Sequence, residues 1–112
     1  MSVIKAKKTS RPARVLMYSH DTLGLGHLRR CREIAHHLVE SNSRLSVLIL
    51  SGSPIIGSFD FRTRVDFVRI PGVIKLRNGD YTSLSLHLNI EETLGLRESI
   101  IKHTAETFDP SR

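Results

Sequence analysis

The sequence has one cysteine, few aromatic residues and no long apolar run. Because Cys31 has no possible partner within the chain, an internal disulfide bond is excluded. A lone cysteine suits a reducing compartment, so we expect a cytoplasmic protein with Cys31 as a buried thiol. No apolar run approaches the roughly 18 residues of a membrane span. No apolar run of about 7–15 residues follows the basic start, so the sequence does not indicate a secretory signal.

Positive charge is concentrated at the start of the chain. The formal net charge is +6, and five of the 17 basic residues precede Asp21, the first acidic residue: Lys5, Lys7, Lys8, Arg11 and Arg14. A basic arm can bind nucleic acid or anionic lipid. Aromatic residues and glycines do not interleave with these lysines, so we predict that residues 1–13 form a disordered, solvated arm.

Apolar runs alternate with amphipathic segments along the rest of the chain. At 112 residues the chain is one domain at most. The predicted elements are strands at Arg14–Ser19, Leu45–Ser51 and Val65–Ile70, helices at about His27–Ser41 and after Asn89, a short helix or loop at Pro54–Phe61, and a polar connection at Val73–Leu88. This order predicts an α/β fold with a partial Rossmann-like domain at residues 14–112. The predicted parallel sheet has three strands, with helices on both of its faces.

The last predicted helix has a clear start and a clear face. Asn89 and Glu92 have capping-box spacing. The residues predicted to share one face of this helix are Ile90, Leu94, Ile101, Ala105 and Phe108. A fourth strand should follow this helix, and we therefore expect a fragment of a larger protein. Without that strand, one edge of Arg14–Ser19 would be bare, which predicts self-association.

The segment HDTLGLGHLRR, His20 to Arg30, joins the first strand to the first helix. Gly24 and Gly26 allow a tight turn and a close approach of backbone to a ligand, so we predict a ligand-binding loop at Gly24, Leu25 and Gly26, beside helix N–H groups that suit an anion. A P-loop would need Lys and Ser or Thr after Gly26, and a dinucleotide fingerprint would need a third glycine at Arg29. Both are absent, so an NAD site is disfavoured. The alternative is a turn that serves packing only.

These residues carry a resemblance to a known family. The chain resembles the amino-terminal part of two-domain GT-B glycosyltransferases, nearest to bacterial predicted glycosyltransferases related to the enzyme that adds N-acetylglucosamine to the cell-wall lipid precursor. Gly24-Leu25-Gly26-His27 matches the end of that family's G-G-x-G-G-H turn, and Ala35-His36-His37-Leu38 matches the end of its next helix. The likeness spans most of residues 14–110. It implies an acceptor-binding half, with the nucleotide-sugar held mainly by a missing carboxy-terminal domain.

The resemblance implies roles for particular residues. Glycosyl transfer needs a base, and imidazole exchanges a proton near neutral pH, so His27 and then His20 are the candidate catalytic residues. Helix capping by either histidine is the alternative. Arg29 and Arg30, at a helix start where cations are unfavourable, could bind phosphate or carboxylate, or be merely solvated. The candidate acceptor-loop residues, or else parts of a mobile surface loop, are Lys75, Arg77, Asp80 and Tyr81.

Other functions remain open from the sequence. His36 and His37 are adjacent on a helix and point about 100° apart, so we predict no metal site, and nothing in the sequence calls for a cofactor. We expect the isolated chain to be inactive, with an unknown acceptor and no nucleic-acid partner. One alternative is a nonenzymatic α/β module that binds a phosphorylated ligand at Gly24–Gly26. Another is a regulatory or structural α/β domain whose basic arm contacts nucleic acid.

Overall fold

The structure, a computed structural model, describes residues 2–7, 12–20 and 26–110. Its strands are β1 (Ser2–Lys7), β2 (Arg14–Ser19), β3 (Ser46–Ser51), β4 (Val65–Arg69), β5 (Val73–Lys75) and β6 (Tyr81–Ser83). Its α-helices are α1 (Gly26–Ser41) and α2 (Ile90–Phe108), and a short 3-10 helix lies at Ile56–Ser58. Among the described residues, no helix is both long enough and apolar enough to cross a membrane.

The main sheet has four strands in the order β1-β2-β3-β4. β2, β3 and β4 are parallel, with Arg14 opposite Ser46 and Val47 opposite Val65. Each is a short run rich in apolar and β-branched residues, as expected for strands covered on both faces. The prediction of three parallel strands is therefore confirmed.

Helices cover both faces of this sheet, which confirms the incomplete Rossmann-like α/β architecture. α1 packs on one face through Leu28, Cys31, Ala35 and Val39, which join a core with Val15, Met17, Val47, Ile49 and Val65. α2 packs on the other face through Ile100, Ile101, Ala105 and Phe108, against Leu16, Leu50 and Ile70. Alternation of side chains along the strands separates the two cores.

The amino-terminal segment differs from its prediction. Residues 2–7 form β1, which pairs antiparallel with β2 and places Ser2 opposite Tyr18 and Lys7 opposite Arg14. The prediction of a disordered arm is therefore wrong for these residues, and so is the prediction of a bare β2 edge. Hydrogen bonding to the exposed edge of a buried strand outweighs the polarity of a lysine-containing segment. Residues 8–11 lie outside the described residues.

The connection at Val73–Leu88 contains a hairpin that the sequence did not predict. β5 and β6 pair antiparallel, with Lys75 opposite Tyr81. The turn predicted at Arg77–Asp80 is confirmed and forms the tip. There the N–H of Leu76 donates to the carbonyl of Asp80 (2.7 Å), and Gly79 has a φ of 92°. That backbone conformation favours glycine.

α2 begins as predicted but buries a different face in its first half. The Asn89 side chain accepts a hydrogen bond from the N–H of Glu92 (2.9 Å), which confirms the cap. Leu94, on the predicted apolar face, is 48% exposed. Thr93 and Arg97 are buried instead. Their polar groups are accommodated because the elements beneath present a serine, a tyrosine hydroxyl and a carbonyl.

Candidate functional site

The carboxyl ends of the parallel strands lie along one edge of the sheet. His20 follows β2, Gly52 follows β3, and Ile70 follows β4. In open α/β sheets, ligands bind outside this edge, where the loops that leave the strands converge. The candidate site therefore lies here, among the residues between each strand and the next element.

The structure brings His20 and His27 together at this edge. Their ring centroids are 5.7 Å apart and the rings are inclined by 63°, an edge-to-face contact. The contact forms because β2 ends one residue before His20 and α1 begins one residue before His27. His20 is exposed, whereas Nδ1 of His27 is buried and has no hydrogen-bond partner among the described residues. An unsatisfied buried nitrogen is uncommon in folded proteins and marks this position as a candidate site.

A second unsatisfied polar atom lies at the end of β2. Ser19 is fully buried, and strand alternation places it on the α1 side with Val15 and Met17. Its Oγ forms no hydrogen bond of standard geometry with any residue in the described ranges. Burial raises the pKa of the Cys31 thiol, while the nearby Ser19 hydroxyl and the Arg30 charge oppose that rise. Cys31 is therefore a buried thiol, as predicted.

Among the described residues, the start of α1 carries positive side chains and no negative ones. No acidic residue lies in its first turn, and Arg29 and Arg30 are exposed there. No atom of the described residues lies within 4 Å of the position that a Cβ on Gly26 would take. Gly24 and Leu25 lie outside the described residues. The described part of this turn is compatible with an anion at the helix start.

The predicted acceptor-loop residues all lie on the exposed hairpin. Lys75 and Tyr81 face each other across β5 and β6, and Arg77 and Asp80 belong to the tip. Asp80 is engaged within the turn, since its carboxylate accepts a hydrogen bond from the Asn78 amide (3.2 Å). This bond gives Asp80 a structural role in the turn.

A small cavity lies at the carboxyl end of β4, beside the hairpin. Its volume is about 240 Å³, and it is lined by Arg69, Ile70, Pro71, Gly72, Ser85 and Leu86. None of the predicted acceptor-loop residues lines it. Sequence reasoning missed Arg69 and Ser85, although the end of a parallel strand was itself a usable signal for Arg69.

Tyr18 and Arg97 are further site residues that sequence reasoning missed. Arg97 of α2 donates hydrogen bonds to the Tyr18 hydroxyl (2.6 Å) and to the carbonyl of Pro71 (2.7 Å). The Tyr18 ring contacts the His20 ring edge to face, with centroids 5.8 Å apart. Arg97 is one of several charged residues of α2, so the sequence alone does not single it out.

His36 lies in the second half of α1, beside the segment that leads into β4. Its Nε2 accepts a hydrogen bond from the backbone N–H of Arg62 (3.2 Å), and its ring meets Phe61 edge to face. Desolvation lowers the pKa of His36, the positive charges of Arg62 and Arg32 lower it further, and Glu33 opposes the shift. This arrangement favours neutral imidazole and a structural role.

Comparisons of the chain with family models, with curated proteins and with solved structures found no match.

Proposed function

We propose that the chain supplies the acceptor side of a glycosyltransferase active-site cleft. The observation that carries this proposal is the contact between His20 and His27 at the carboxyl edge of the sheet, where Nδ1 of His27 is buried and has no partner within the part of the chain that the structure describes. It places two proton-accepting groups where α/β folds bind ligands. The resemblance of the loop and first helix to GT-B glycosyltransferases supports the same function.

In the proposed reaction, the imidazole of His27 takes the proton of an acceptor hydroxyl. The oxygen forms its bond to the anomeric carbon of a nucleotide-sugar, and the bond from that carbon to the diphosphate oxygen breaks. The diphosphate leaves with the electron pair. Arg29 and Arg30, both exposed at the start of α1, would stabilise its negative charge. A further domain, outside this chain, would bind the nucleotide.

The first test is a substitution in a protein that joins this chain to its donor-binding domain. His27→Ala should lower turnover at least about tenfold, the lower end of what a general base contributes. His37→Ala, at an exposed position of the same helix, is the matched control and should retain turnover. Wild-type kinetics for a folded His27→Ala variant would exclude His27 as the base.

The second test uses this chain alone. Because its fingerprint lacks a third glycine and a ribose-binding acid, it should show no micromolar affinity for uridine or guanosine diphosphate sugars. Calorimetric titration measures this directly. Micromolar binding to the chain would show that it holds the donor and would overturn the acceptor-side assignment.

A second candidate function is a nonenzymatic module that binds a phosphorylated ligand at the start of α1. The observation that favours it is the fully buried Ser19, whose Oγ forms no hydrogen bond of standard geometry with the described residues, close to a helix whose first turn has no acidic residue. Titration with inorganic pyrophosphate is the test. Binding that is lost in Ser19→Ala, in a protein without transfer activity, would favour the module over the enzyme.

A further inference from the structure

We propose that Tyr18 and Arg97 are positioning residues that hold the histidine pair in place, so that α2 sets the geometry of His20 and His27. The catalytic meaning of this inference rests on the proposed function. The structural coupling itself is independent of any activity. It is carried by a continuous row of contacts from α2 to α1 across the carboxyl edge of the sheet.

The row begins at Arg97, which is only 7% exposed. One guanidinium nitrogen donates to the carbonyl of Pro71 and the other to the Tyr18 hydroxyl. Guanidinium is planar, so two bonds in different directions fix its orientation. Arg97 therefore ties α2 to the ends of two strands, β2 and β4, at once.

The same part of α2 is fixed by a second polar contact. The hydroxyl groups of Ser83 and Thr93 hydrogen-bond to each other, and Ser83 also donates to the carbonyl of Leu88 (3.0 Å). Thr93 is fully buried and lies one helical turn before Arg97. The guanidinium is thus presented from a helix segment that is held at two neighbouring positions.

The row continues through aromatic rings. Tyr18 meets His20 at a centroid distance of 5.8 Å and an inclination of 74°, and His20 meets His27 at 5.7 Å and 63°. Such contacts depend on direction, because a ring edge carries partial positive charge and a ring face partial negative charge. A change in the orientation of Tyr18 therefore changes the surroundings of His20, and a change in His20 reaches His27.

Arg97 suits this role better than an apolar residue at the same place. An apolar side chain would cover the Tyr18 ring without fixing the direction of its hydroxyl. The hydrogen bond fixes that direction and makes the ring position depend on where α2 lies. We infer that Tyr18 and Arg97 act on the site through His20 without touching the substrate.

The test is nuclear magnetic resonance of the histidine ring signals in this chain. Tyr18→Phe keeps the ring and removes the hydroxyl, and Arg97→Lys keeps the charge and removes the planar fork. Both variants should shift the ring signals of His20 and His27 further than those of the other four histidines. They should also weaken the nuclear Overhauser effect between the two rings. Tyr81→Phe, at the other tyrosine and on the exposed hairpin, should shift neither histidine.

The outcomes separate this inference from the proposed function. Wild-type ring signals for His20 and His27 in Tyr18→Phe would overturn the positioning role, whatever His27→Ala does to turnover. Shifted signals together with wild-type turnover in His27→Ala would leave the coupling intact and exclude the catalytic role. Should Arg97→Lys fail to fold, Tyr18→Phe decides alone, because it removes the same hydrogen bond from its other side.

Discussion

Arg64 stabilises the end of α1 from a distant part of the chain. Its guanidinium donates to the carbonyls of Val39, Asn42 and Leu45 at 2.7–2.8 Å. We expect Arg64→Ala to lower the free energy of unfolding by about 2 kcal/mol or more, because charge-assisted bonds are lost and carbonyls are left unpaired. Urea unfolding followed by circular dichroism measures the change.

A substitution by glycine at position 64 separates two contributions to stability, that of the Arg64 side chain and that of its backbone conformation. Arg64 has a φ of 75°, in the left-handed region that glycine adopts without steric cost. Arg64→Gly should therefore be destabilised less than Arg64→Ala, by up to about 1 kcal/mol. If both variants were as stable as the wild-type protein, the three hydrogen bonds would contribute nothing to stability.

His36 should make stability depend on pH below neutrality. Its pKa is lowered in the folded chain, so the unfolded chain binds the proton more readily. The stability that results from this difference in pKa is fully present above the ordinary histidine pKa of 6.5. It is lost as pH falls through the lower pKa of the folded chain. Urea unfolding at pH 7.5 and at lower pH should show this loss, and His36→Gln should reduce it. An unchanged pH dependence in His36→Gln would contradict the assignment.

At the scale of elements, substitution of glycine by alanine should have opposite effects on stability at two positions. A Cβ on Gly72 would lie 2.8 Å from the carbonyl oxygen of Gly52 and 2.9 Å from a methyl carbon of Leu84, so Gly72→Ala should cost about 1–3 kcal/mol. Gly95 lies in α2 with open space around it, so Gly95→Ala should stabilise by about 0.5–1 kcal/mol. Paired urea unfolding curves test both, and destabilisation by Gly95→Ala would contradict the second.

The sequence predicted those elements whose pattern is local. The apolar runs predicted β2 to β4, and the Asn89 cap predicted the start of α2. β1 was missed because a six-residue segment with two lysines gives a weak strand signal, and its pairing depends on the edge that it covers. The exposure of Leu94 was missed because periodicity shows which residues share a face but not what lies opposite.

The sequence likewise predicted the part of the candidate site that depends on local spacing, and missed the part that depends on long-range packing. His20 and His27 flank one loop, so their proximity follows from a strand that turns directly into a helix. The hydrogen bond between Arg97 and Tyr18 joins residues 79 positions apart, and no local spacing indicates it. Its partners become neighbours only when α2 packs on the face of the sheet opposite α1.

At the scale of the whole molecule, β1 determines whether the β2 edge is exposed. The antiparallel pairing satisfies backbone groups that would otherwise be free to pair with another chain. A variant without residues 2–7 should form concentration-dependent oligomers, measured by light scattering after a sizing column. A Gly/Ser segment of equal length that keeps both lysines should behave like the deletion. Deletion variants that stay monomeric would show that another part of the chain covers this edge.

The register of β1 also has a practical consequence for how the protein is handled. Because Ser2 lies opposite Tyr18, the start of the chain reaches the same end of the sheet as the histidine pair. A purification tag fused there would emerge at the rim of the candidate site, and a polyhistidine tag would add imidazoles beside His20 and His27. Ligand titrations and histidine spectra should therefore be recorded after the tag has been cleaved.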